Sequence, residues 1–127
     1  MTHHWHAYAY TGRSYSDTAI RRAEVPANYP PIEIVNWLKR PVDQVVATYR
    51  DVEEAVSWIE GELTQNAPLD QEHFPWWERL QRNRETLLQA AGNDVVHGYY
   101  SKAQQYVSRA LIACPREAGQ TCPYGAA

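Results

Sequence analysis

Apolar residues recur through the middle of this chain at intervals of three and four. Val42, Val45, Tyr49, Val52, Val56, Ile59 and Leu63 follow one another at spacings of 3, 4, 3, 4, 3 and 4, the period of one face of an α-helix. Pro41 suits a first helical position and Asp43 the positive end of the helix dipole. The spacing predicts a helix of about six turns, with Glu53, Glu54, Glu60 and Glu62 making an acidic outer face.

A second helix is predicted over about 70–91, entered by a staple of Leu69 and Phe74 around Asp70 and closed by Gly92. Trp77, Leu80, Leu87 and Ala91 set its stripe, and Arg84 stands where that stripe needs another apolar residue. Asn93 or Asp94 then caps a third helix on Val96, Tyr100, Ala103, Val107, Ala110 and Cys114, at spacings of 4, 3, 4, 3 and 4, ended by Pro115. So short a connection makes the last two helices antiparallel neighbours.

Upstream the signals are shorter. Residues 32–39 can make two helical turns that stop before Pro41, because a residue preceding proline avoids the α region. Pro26, Pro30 and Pro31 limit regular structure over 18–31. Residues 5–10 alternate small and large side chains, which fits a strand or extended arm with Tyr8 and Tyr10 on one face. The fold class expected is mainly α: an antiparallel bundle of three long helices plus one short helix, with an extended or short-strand N-terminal arm. Residues 1–115 make a single helical domain, in which 1–31 are the arm and Pro-rich connection, and 116–127 are a flexible tail.

Composition adds a functional bias. The aromatics are five Trp and nine Tyr against one Phe, and Trp and Tyr favour half-wet surfaces because their N–H or O–H must find a partner when buried. The expected function is therefore a non-catalytic interaction module working through a Trp/Tyr-rich surface. Trp5, Tyr8, Tyr10 and Trp76 are its interface residues, and the partner is another protein chain, most simply a second copy. The competing expectation is a small-molecule binder or compact enzyme. Arg84 would hold an anionic group, Tyr49, Trp77, Tyr99 and Tyr100 would line the pocket, and His73 or His97 would move protons.

Charge narrows the partners. The formal net charge is −3, and residues 41–70 hold seven acidic side chains against one basic. No arm of clustered Lys and Arg occurs, which disfavours nucleic acid. An acidic helix mimicking nucleic acid is the least supported reading, since a charge run is usually a solvated face. No run approaches the ~18–20 apolar residues that span a bilayer, and the N-terminus lacks the pattern of a secretory signal. A cytoplasmic protein is expected, with Cys114 and Cys122 as free thiols.

No catalytic or nucleotide-binding fingerprint is present. A His at the third position, His3 or His4 depending on removal of Met1, can wrap Cu(II) or Ni(II) with the terminal amine. Such a site is weak evidence, and the Cys-Pro dipeptides at 114 and 122 are weaker evidence for haem. No metal site and no cofactor is expected.

Overall fold

The computed structural model describes residues 4–69, 76–89, 93–114 and 122. Its centre is a four-stranded antiparallel sheet, which replaces the expected bundle of three long helices. The strands are β1 (His4–Gly12), β2 (Ala47–Tyr49), β3 (Val95–Tyr100) and β4 (Tyr106–Cys114), in spatial order β2-β1-β4-β3. Three α-helices accompany them: α1 (Asp17–Arg21), α2 (Val52–Gln65) and α3 (Trp76–Gln89). Short 3-10 helices occupy Ile34–Lys39 and Val42–Gln44.

The N-terminal alternation does form a strand, but an interior one. β1 pairs along its whole length with β4, from His4 opposite Cys114 to Gly12 opposite Tyr106. Its other edge holds β2, with Trp5, His6 and Ala7 opposite Tyr49, Thr48 and Ala47. Because strand side chains alternate, His4, His6, Tyr8 and Tyr10 share one face and Trp5 and Ala7 the other.

The six-turn helix expected over 42–63 begins only at Val52. Asp51 caps it, its carboxylate accepting the Glu54 backbone N–H at 3.3 Å. Val56, Ile59 and Leu63 are buried on that helix as the stripe requires. Val42 lies in a 3-10 turn and Tyr49 in β2, so their helical spacing is coincidental.

The third helix is a hairpin. β3 and β4 pair from Val95 opposite Leu111 to Tyr100 opposite Tyr106, and Gln104 turns the chain at a φ of 62°. Val95, Val96, Tyr99 and Tyr100 prefer a pleated surface, and Gly98 would weaken a helix there. The spacing misled because β4 is buried on both faces from Val107 to Cys114. A strand buried on both sides presents a nearly continuous apolar run that matches any period.

Two cores result. On one face α2 and α3 cover the sheet, where Trp5, Ala7, Leu111 and Ala113 meet Val56, Ile59, Leu63 and Leu87. Arg109 is buried at the edge of this core. It pairs with Glu62 at 2.9 Å and donates to the Tyr10 carbonyl and Thr11 Oγ1. On the other face the Ile34–Lys39 turn lays Trp37 and Leu38 over Tyr8, Ala110 and Ile112. No helix among the described residues is long and apolar enough to cross a membrane.

Candidate metal centre

Beyond Trp37, the second face of the sheet ends in four residues with metal-ligating side chains. His4 and His6 are two apart on β1 and therefore point to the same side. Cys114, the last residue of β4, is the register partner of His4. Cys122 reaches the same point from beyond β4. One ligand atom from each residue lies within 4.8 Å of the other three.

Two of the distances lie near those around a tetrahedral ion. His6 Nε2 is 3.2 Å from Cys122 Sγ, and His4 Nε2 is 3.8 Å from the same sulfur. Zinc bonds of ~2.3 Å to sulfur and ~2.0–2.1 Å to nitrogen place tetrahedral ligand atoms about 3.4–3.8 Å apart. A divalent ion on two thiolates and two neutral imidazoles sums to zero charge, so the group can be buried without an uncompensated charge.

Burial and neighbours prepare the imidazoles. His6 is held neutral, its pKa lowered from 6.5 to about 4 by burial, then by His4 and Arg50. Its Nδ1 lies 2.9 Å from Thr48 Oγ1, the residue opposite it on β2. In the tautomer that donates Nδ1–H to Thr48, the Nε2 lone pair faces the Cys122 sulfur. Fixing a ligating His through its other nitrogen is the usual supporting arrangement in metal sites. The His4 ring packs edge-on against His6, with centroids 4.8 Å apart. Cys114 is buried, and Cys122 keeps partial exposure.

The residues singled out by sequence go elsewhere. Trp5 and Tyr8 are buried in the sheet's two cores and Tyr10 is buried against Tyr29, so they are occupied by the fold itself. Arg84 is exposed and grips both carboxylate oxygens of Glu53, at 2.5 and 2.7 Å. Tyr49 packs beside Trp58 on the helix-covered face. Tyr99, on that same face, donates to the Asn66 carbonyl, whereas Tyr100 bonds Ser14 Oγ from the opposite face. His97 bonds the buried Asn83. These side chains do not converge on one pocket. His73 and the side chains of Trp76 and Trp77 lie outside the described residues.

A second aromatic group does form. Tyr10, Tyr15, Tyr29, Tyr100 and Tyr106 contact one another in sequence around Tyr29 and Tyr106, with centroids 4.9 to 6.0 Å apart. All but Tyr10 border a cleft of about 390 Å³ whose rim includes Pro30, Pro31 and Ile32.

The metal cluster had a partial signal in sequence. His-x-His within a period-two segment places two imidazoles on one face of any strand. Reading residues 94–114 as a helix kept Cys114 away from them, and reading 116–127 as a loose tail kept Cys122 away. No family model, curated protein or solved structure matches this chain.

Proposed function

We propose that this protein is a zinc-dependent, non-catalytic interaction module. The observation that carries the reading is the convergence of His4, His6, Cys114 and Cys122 on one point. Two sulfurs and two imidazole nitrogens in tetrahedral reach select zinc among the common divalent ions. Four protein ligands close the coordination sphere, which is the pattern of structural sites; catalytic zinc keeps a position open. The ion's role is to fasten the segment carrying Cys122 to the ends of β1 and β4.

The binding surface belongs to the tyrosine-lined cleft at the far end of the same face, where Tyr100 and Ile32 are about half exposed. Tyr at a wet rim is the residue type that anchors interfaces. The partner is another protein chain, a second copy in the simplest case. A cytoplasmic setting suits two cysteines that are kept reduced as ligands.

The test is zinc content. Protein purified without chelator is expected to carry one zinc per chain by native mass spectrometry. Replacing the zinc with cobalt should give the visible absorption of a tetrahedral thiolate site. Cys114→Ser and His6→Ala should each lower the stoichiometry or affinity. Absence of zinc, with none taken up on addition, would sink the reading.

A further inference from the structure

The two sulfurs of the centre differ in a way that a purely structural site does not require. Cys114 is fixed in the β4 ladder opposite His4 and is buried. Cys122 is partly exposed, and its sulfur lies 3.2 and 3.8 Å from two imidazole nitrogens. A small solute can therefore reach the Cys122 sulfur, while burial shields that of Cys114. The second sulfur waits within 4.8 Å, and seven residues separate the two along the chain.

Building on the zinc reading, we propose that this centre reduces hydroperoxides, closing a Cys114–Cys122 disulfide and releasing its zinc. The Cys122 thiolate attacks one peroxide oxygen and the O–O bond breaks. For hydrogen peroxide the departing oxygen takes a proton and leaves as water, while Cys122 becomes a sulfenic acid. The Cys114 thiolate then attacks that sulfur, the S–O bond breaks, and hydroxide leaves to be protonated to water. Two electrons pass from the sulfurs to the peroxide, and two protons are consumed.

Zinc does not change oxidation state. It loses two of its four ligands, and His4 and His6 alone do not hold it. The closing motion falls to Cys122, because Cys114 is held in the β4 ladder opposite His4. A thiol reductant and added zinc restore the starting state.

The experiment treats the zinc-loaded full chain with hydrogen peroxide and follows zinc with a chromogenic chelator. Mass spectrometry of the same samples reads the loss of two hydrogens and the peptide joining residues 114 and 122. Release of one zinc per chain, in step with that cross-link and reversed by a thiol reductant, is the expected result. Cys122→His keeps four donors but removes the partner thiol, so its release should be at least ~10-fold slower. Zinc release without the 114–122 cross-link, or oxidation confined to sulfinic acid, overturns the proposal. So does a zinc-loaded protein that peroxide leaves intact. If Cys122→His does not fold, the coupling of zinc release to cross-link in the unaltered chain still decides the matter. A chain that takes up no zinc before oxidant is added overturns the zinc reading itself, and this proposal with it.

Discussion

Thr48 Oγ1 lies 2.9 Å from His6 Nδ1, and the two residues are register partners across β1 and β2. The sheet therefore sets the imidazole's orientation before any ion arrives. β2 is only three residues long, and this contact gives it a role beyond covering an edge.

Thr48→Val keeps the shape and removes the hydroxyl. The chain should still bind one zinc per molecule, with affinity reduced ~10- to 100-fold, the usual cost of losing a group that supports a ligating His. Competition against a zinc chelator of known affinity reads the change. Unaltered affinity would show that the tautomer is set some other way.

The two ion pairs of this fold should behave differently. Glu62→Ala strands Arg109, whose side chain is 7% exposed, and removing one partner of a buried pair costs about 3–5 kcal/mol. Glu53→Ala frees Arg84 into solvent, where the side chain is already 44% exposed, and should leave the melting temperature within scatter. Urea denaturation of both variants makes the comparison. Equal losses would mean that Arg109 finds sufficient partners in the Tyr10 carbonyl and Thr11.

Gly98 is required by a neighbour across the hairpin. A Cβ there would lie 2.5 Å from the Tyr106 hydroxyl, so Gly98→Ala should cost about 1–3 kcal/mol through overpacking. The clash is with the tip of one side chain, which makes it separable. Tyr106→Phe removes the oxygen, and the double variant should recover much of the loss, giving a coupling well above additivity error.

The sequence was legible where one face of an element is buried and the other is wet. α2 from Val52 onward shows that clean period, whereas β1, buried on both faces over His4–Tyr8, was legible because alanines alternate there with large side chains. It was illegible in the hairpin, because β4 has no wet face and its apolar run carries no period of its own. The metal cluster depended on that hairpin. His4 and His6 could be paired from their spacing, but Cys114 joins them only when β4 lies antiparallel to β1, a contact between the two ends of the chain. The tyrosines that sequence put on the surface are placed elsewhere: Tyr8 and Tyr10 are interior, while Tyr15, Tyr29, Tyr100 and Tyr106 border the cleft.

The tyrosine cluster should make the fold sensitive to alkali. Tyr106 has its pKa raised above the usual 10.0, first by burial and then by Tyr29 and Tyr100. Tyr49 is raised as well, by burial and by Glu54 and Glu62. A phenol whose folded pKa exceeds its unfolded value binds its proton more tightly in the folded state. The stability it contributes is therefore complete below pH 10.0 and is lost as pH rises through the folded pKa. Urea midpoints should hold steady on approach to that value and fall beyond it, with tyrosinate absorbance rising alongside unfolding. Tyr106→Phe should flatten the fall without abolishing it, since Tyr49 still titrates. A decline that begins well below pH 10.0, or one that Tyr106→Phe leaves unchanged, would assign the alkaline sensitivity to groups other than this cluster.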